Sequence, residues 1–317
     1  MIFKLVSQIA PVGIILIRAH WCSLLVSTMM QNSQPIAAVD PKARIHSLSR
    51  VAESRRVAGQ YRQAEPLYRQ ALALAETVFG SNHLEVAGIL NNLAVLCKYT
   101  GQFAEAERLY RRALEITQSI LGEGRTEAAT LYHNLGGLEH ARGRHAEGEP
   151  WARRAVEIRE KALGPDSVEV AADLVALAAI LDGQGKHDES ELLYRRALSI
   201  FERAYGLEHY EIAVTLNNLA ALYQAKGQWD DAERPYRRAL AMKQKLLGPD
   251  HPDVAMTLNN LAVLLMAQGK CDEAARLYRR ALAIFEETLG SDHIKVITCR
   301  ENYQRLLENF AVHSSEA

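Results

Sequence analysis

The sequence carries almost no net charge: 37 lysines and arginines stand against 38 aspartates and glutamates, giving −1 at neutral pH. No overall field therefore draws the chain to nucleic acid or to an acidic membrane surface. Cysteine is scarce. Cys22, Cys97, Cys271 and Cys299 have no metal-type spacing, and the last three fall inside helical patterns. That excludes a disulfide framework and reads as buried thiols in a reducing compartment. No nucleophile elbow, phosphate-binding loop or HExxH motif is present, so the residues point to no enzyme, no cofactor, no metal and no small-molecule substrate. The 48% apolar and 24% charged fractions are those of a folded protein, not a disordered one.

A long apolar run occurs only at the start. Residues 5–30 are mostly apolar but are interrupted by Arg18 and His20, and a central arginine costs a membrane span about 2.5–3.5 kcal/mol. As a secretory signal the segment has one basic residue, Lys4, and a short apolar core from Ile9 to Ile17, with no small-residue cleavage site after it. Ala19, His20 and Trp21 ahead of Cys22 argue against a lipoprotein signal. Three readings stay open: translation starting at Met29 or Met30, a signal or anchor, and an extra folded cap. The first makes the protein cytoplasmic; the second makes it exported or membrane-anchored through residues 1–30. Residues 1–44 are taken as this leader and a linker, with Gln31 to Lys42 as the linker proper.

What the chain does have is a glycine that returns every 42 residues, at Gly80, Gly122, Gly164, Gly206, Gly248 and Gly290. A second series keeps step with it, at Gly59, Gly101, Gly143, Gly185, Gly227 and Gly269. Six cycles without insertion or deletion describe a stack of identical supersecondary units rather than an ordinary globular core. Residues 85–100 carry Leu90, Leu93, Ala94 and Cys97 at the i, i+3, i+4, i+7 spacing of an amphipathic helix. Gly101 breaks the chain as a left-handed cap. A second helix runs from about Phe103 to Leu121, with Ala106, Leu109, Tyr110, Ala113 and Leu114 on its buried face. In the linker Gly248 to Asp253, Asp250 is the candidate N-cap, with Asp253 favouring the helix N-terminus, and the recurring His83, His209, His251 and His293 open helices rather than bind metal.

Ala94, Gly136, Ala178, Ala220 and Ala262 form one small-residue column, and Ala106, Gly148, Ser190, Ala232 and Ala274 form another. They let the paired helices approach closely. Tyr68, Tyr110, Tyr194, Tyr236 and Tyr278 fill the space towards the next unit; unit three has Ala152 there, with Trp151 beside it to supply the volume. Residues 293–310 make one more first-type helix, whose Gln304 replaces the small residue as befits a solvating end. Pro66 and Pro150 are placed in the first turns of their helices. The Arg-Arg pairs at 111–112, 153–154, 195–196 and 237–238 follow Glu107, Glu149, Glu191 and Glu233 at i, i+4, which makes a salt-bridged outer face worth about 0.2–0.5 kcal/mol per pair.

The segments "NNLAVLCKYTGQFAEAERLYRRALEI" and "NNLAVLLMAQGKCDEAARLYRRALAI" resemble the tetratricopeptide repeat, and the 42-residue period with the linker "LGPDHPDVAMTLNNLA" resembles its kinesin light chain subtype. The resemblance covers about residues 45–310. It implies an all-α, right-handed α-solenoid superhelix of six helix-turn-helix repeats over 45–292, a capping helix over 293–310 and a disordered tail over 311–317. It also implies a concave groove that holds a peptide segment of a protein partner.

On each first-type helix, the stripe opposite the packing face is small and nearly uncharged: Gly88, Asn92, Val95 and Tyr99 in unit two, Thr130, Asn134, Gly137 and Ala141 in unit three. Units five and six give Val214, Asn218, Ala221 and Ala225, then Met256, Asn260, Val263 and Ala267. Solvated faces normally carry Glu, Lys and Arg, so this absence needs a cause. One reading makes Asn92, Asn134, Asn218 and Asn260 readers of a partner's backbone, with Val95, Tyr99, Val214, Met256 and Val263 as the apolar floor. The other has each asparagine tie neighbouring helices together. Asn91, Asn217 and Asn259 lie nearer the packing seam and read as structural. Unit four has Val175 and Ala176 instead, which divides the groove into two half-sites. Kinesin light chain grooves are known for acidic, tryptophan-containing peptides. Here the inner columns hold few basic residues beyond Arg50, Lys98 and His140, which favours an apolar or backbone-read segment. The expected function is a non-enzymatic adaptor. The alternatives are a self-assembling structural solenoid and the sensor subunit of a signalling system whose enzyme is a separate chain.

Overall fold

Apolar residues at helical spacing, cut by a glycine after each run, give thirteen helices among the described residues, 40–315 of this computed structural model. They alternate as first-type and second-type helices. The first pair is α1 (Pro41–Val57) and α2 (Tyr61–Phe79). Then follow α3 (Leu84–Tyr99) with α4 (Phe103–Leu121), α5 (Thr126–Ala141) with α6 (His145–Leu163), and α7 (Val168–Gly183) with α8 (His187–Tyr205). The series ends with α9 (Tyr210–Ala225) and α10 (Trp229–Leu247), α11 (Pro252–Ala267) and α12 (Cys271–Leu289), and the lone α13 (Ile294–Ser315). No strand occurs among the described residues, and no helix there is long and apolar enough to cross a membrane. The readings made for residues 1–30, Cys22 included, lie outside the described residues.

Each break has a local cause. Gly101 has φ +77° and Gly122 φ +87°, a region that costs a residue with a Cβ but not glycine. The Gln102 amide then donates back to the Cys97 carbonyl at 2.8 Å, satisfying the end of α3. The next helix opens on a linker residue. His83, His209 and His251 accept from the amides two residues on, through Nδ1, and Ser167 caps α7 by accepting from the Val170 amide through its hydroxyl. His251, not Asp250, is therefore the cap of α11, because its ring nitrogen reaches the Asp253 amide at 3.1 Å. Pro66 and Pro150 are each the sixth residue of their helices, in the second turn rather than the first. Both are exposed, where the carbonyl left without a donor is solvated.

The packing columns behave as read. Every member of both small-residue columns is buried, and a Cβ on Gly148 would stand 3.0 Å from the Gly136 carbonyl. The bare glycine pair thus sets how closely α5 and α6 approach. Where the column holds Ser190, its hydroxyl donates to the Ala178 carbonyl at 2.7 Å, so burial of the oxygen is compensated. The five tyrosines are at most 1% exposed. At the Ala152 gap Trp151 stacks on Tyr132, ring centroids 5.6 Å apart. The outer face carries the expected Glu–Arg pairs, Glu107–Arg111, Glu149–Arg153, Glu191–Arg195 and Glu233–Arg237. Arg112, Arg196 and Arg238 reach back instead to Glu76, Glu160 and Glu202 of the preceding repeat. Helix α13 begins at Ile294 and continues to Ser315, so part of the expected tail over 311–317 is helical. Helix α1 likewise begins before residue 45, at Pro41.

Candidate functional site

The inner stripe lies on the odd-numbered helices, and its predicted residues share one environment. Asn92, Val95, Tyr99, Asn134, Val214, Asn218, Met256, Asn260 and Val263 are all half-buried, neither core nor fully solvated. Asn260 and Val263 of α11 come together with Ala221, Gln224 and Ala225 of α9 and Tyr236 of α10 around a cleft of about 340 Å³. Tyr99 lines a second space, described below. The remaining stripe residues share the same helix faces by register but line none of the clefts described here.

The asparagines bond to one another within and between repeats. Asn134 Nδ2 donates to Asn91 Oδ1 of the preceding repeat at 2.7 Å, and Asn91 donates in turn to Asn92 at 3.2 Å. Asn302 continues the column in α13 and donates to Asn259 at 3.4 Å. The 42-residue period places it there, 42 residues after Asn260. The seam asparagines Asn217 and Asn259 donate to Asn218 and Asn260 at 3.3 and 3.4 Å. These bonds occupy the oxygens of Asn92, Asn218 and Asn260 and hold their amides in one orientation. Asn134, in contrast, spends its donor on the neighbouring helix. That bond joins two repeats.

At units three and four, where His133 and Val175 replace the seam asparagine, a buried ion cluster forms. Asp173 of α7, with its side chain fully buried, takes a bond from Arg159 at 2.7 Å and lies 2.7 Å from His133 Nδ1. Arg159 also donates to Thr130 Oγ1 at 2.6 Å, while Asp173 Oδ2 has no partner. Two repeats on, in the column of Arg159, Lys243 is buried beside Thr257 with no carboxylate bound; burial pushes its pKa down. Neither cation was found from sequence, because each stands in a column that elsewhere holds Phe201 and Phe285.

His140 and His145 pair through Nδ1 at 3.3 Å, and the His145 ring occupies the place a side chain on Gly183 would take. Because His133 turns to Asp173 and Glu139 to Arg142 at 2.9 Å, the four residues do not form one site. Burial first, and then the neighbouring His145, lowers the pKa of His140 from 6.5 to about 4. Between those values the unfolded chain binds the proton and the folded chain refuses it. Stability from this group is therefore complete above pH 6.5 and lost as pH falls towards about 4. His140→Gln, which copies Gln224 of the same column, is expected to flatten that part of the profile of urea midpoint against pH.

The stack also meets itself. His251 Nε2 lies 2.7 Å from the Val57 carbonyl, and His293 Nε2 lies 3.0 Å from the Tyr99 carbonyl, both across 194 residues. The shared spacing shows one geometry used twice: the C-terminal ends of α1 and α3 face the N-terminal ends of α11 and α13. A cavity of about 440 Å³ opens there, lined by Arg56, Tyr61, Tyr99, Tyr210, His251 and Asp253 among others. Tyr61 and Tyr99 stack at 5.7 Å, and Tyr210 donates to Asp253 at 2.6 Å. Lys98 and Lys295 sit 5.7 and 5.6 Å from the Tyr99 ring centroid. Burial, followed by the proximity of Lys295, lowers Lys98 from 10.5 to about 8. The inner side is thus more basic here than the inner columns alone implied, since Lys295 arrives from a distant repeat.

The tetratricopeptide repeat family model matches residues 43–119, 127–203, 184–245, 211–287 and 253–308. BtubC (BKLC) from P. vanneervenii is 27% identical, with 80% of this chain and 93% of that one covered and a TM-score of 0.51. A Podosopora anserina putative kinesin light chain with nearly identical TPR-like repeats is 25% identical over 65% of this chain and 98% of that one, TM-score 0.48. The Rap protein complexed with Competence and Sporulation Factor shares the fold at 15% identity, 84% and 87% coverage and TM-score 0.53. No curated protein matches the sequence. With its 42-residue period and paired helices, the chain belongs to the tetratricopeptide repeat family, in its kinesin light chain-like type.

Proposed function

We propose that the chain is a non-enzymatic adaptor whose inner trough holds an extended segment of a protein partner. Tetratricopeptide repeats are protein–protein interaction scaffolds, and no catalytic family matches this chain. The observation that carries the finer reading is the cleft where Asn260 and Val263 meet Ala221 and Ala225. A surface this free of charge and this rich in amide groups suits a backbone-read, partly apolar ligand. Affinity then comes from a preformed scaffold rather than from charge. The two clusters of inner asparagines flank the Asp173 region, in keeping with two half-sites.

The test uses a displayed library of random peptides, with binders selected on the full chain. Asn92→Ala, Asn218→Ala and Asn260→Ala together remove three oriented amides, and capture is expected to fall by roughly ten- to a thousandfold at about 0.5–1.5 kcal/mol per bond. Helical content by circular dichroism stays unchanged. Capture retained by the triple variant would remove the trough from the account.

A further inference from the structure

His251 and His293 do more than cap their helices. In each, Nδ1 accepts from a backbone amide, of Asp253 and of Lys295, both at 3.1 Å. An amide only donates and a carbonyl only accepts, so each ring carries its proton on Nε2 and gives it to the facing carbonyl. His83 and His209 have the same capping bond, but their rings stack on Phe79 and Tyr205 instead. Two of four equivalent histidines are therefore recruited to join successive turns. The ends they join are of opposite polarity: helix C-termini meet helix N-termini, an arrangement favoured by the helix dipoles. The fit is close, since a Cβ on Gly59 would stand 2.7 Å from Pro252 Cδ. Something also opposes closure. Lys98 and Lys295 approach the same ring with no carboxylate within ion-pair distance of either.

We infer that His251 and His293 form a clasp that closes the trough against access from the side, and that its opening admits the partner segment. With the edges of two turns in contact, the gap through which an extended chain could slip sideways is gone, and the way along the axis remains. Two bonds against the repulsion of two ammonium groups make a closure that can be undone. This inference rests on the trough being the binding surface, but its test needs no partner, so the two can fail separately.

The experiment replaces both histidines with serine on the full chain. Ser167 already caps α7 through its hydroxyl, so His251→Ser and His293→Ser keep the caps and delete only the Nε2 donors. The probes are two amine-reactive esters, one acetyl and one carrying a long polyethylene glycol chain, with products mapped by mass spectrometry. In the unaltered chain Lys98 and Lys295 should react with the acetyl ester and resist the long one. In the double variant the long reagent should reach them about tenfold faster, as the open fraction grows on losing two bonds. Exposed Lys186 should react equally in both, and X-ray scattering should give a larger radius of gyration for the variant. His83→Ser with His209→Ser makes the same exchange of caps without touching the junction and should change neither readout. If the long reagent labels Lys98 of the unaltered chain as fast as that of the variant, or if the capping control expands as much as the clasp variant, the inference is wrong. Labelling of the unaltered chain decides the matter even if the double variant does not fold.

Discussion

Asp173→Ala is expected to cost about 3–5 kcal/mol of folding stability, because it leaves a buried cation without its counter-ion. The Arg159 side chain is 11% exposed and the Asp173 side chain 0% exposed, so water cannot replace the carboxylate. The bond from Arg159 to Thr130 survives but supplies no charge. The chain contains its own control. In the columns of Arg159 and Asp173, the next repeat has Phe201 and Thr215, with Phe201 1% exposed and Thr215 donating to the Glu211 carbonyl at 2.7 Å. Copying that pair, Arg159→Phe with Asp173→Thr, should recover most of the loss, since apolar replacement of a whole buried ion pair is often neutral or better. Urea unfolding followed by circular dichroism measures both. A single Asp173→Ala variant within about 1 kcal/mol of the parent would mean that the cluster is solvated or able to rearrange.

Tyr194→Ala should cost a similar amount, about 3–5 kcal/mol, and should also change the shape of the transition. Tyr194 is 1% exposed and lies midway along the stack on α8. Its loss leaves a cavity between repeats that relaxes only in part. In a solenoid each repeat is held mainly by its neighbours, so weakening one interface uncouples the two sides. The expected result is a second step or a broadened slope in the denaturation curve, with hydrogen exchange rising first around the fourth and fifth repeats. A single sharp transition, merely displaced, would show that coupling across the remaining contacts exceeds the lost packing. Both outcomes are read on the full chain.

Much of the fold was legible because a repeat tests every inference six times. Gly101 and Gly122 mark helix ends wherever they recur, and Tyr110 or Ala94 is buried in one unit for the reason it is buried in the others. The errors arose where a single residue had to be chosen from a local pattern. His251 rather than Asp250 caps α11, because a ring nitrogen reaches the amide from that position. Pro66 sits one turn deeper than expected, because α2 starts at Tyr61. The asparagine column lies on a half-buried face, and which member bonds its neighbour is not legible in the period. Asn134 and Asn92 are alike in sequence and differ in what the preceding repeat holds out to them.

The sequence by itself determined the all-helical repeat, its 42-residue unit, the packing columns and the uncharged inner stripe, since each of these follows from contacts within a unit or between adjacent units. Only the tertiary structure decided that Val57 meets His251 and Tyr99 meets His293, and that Lys295 joins Lys98 on one ring. Those meetings depend on the pitch of the stack, a small rotation per repeat summed over almost five of them. No local pattern of apolar spacing encodes that sum. It is set by how the buried side chains of every intervening interface fit together.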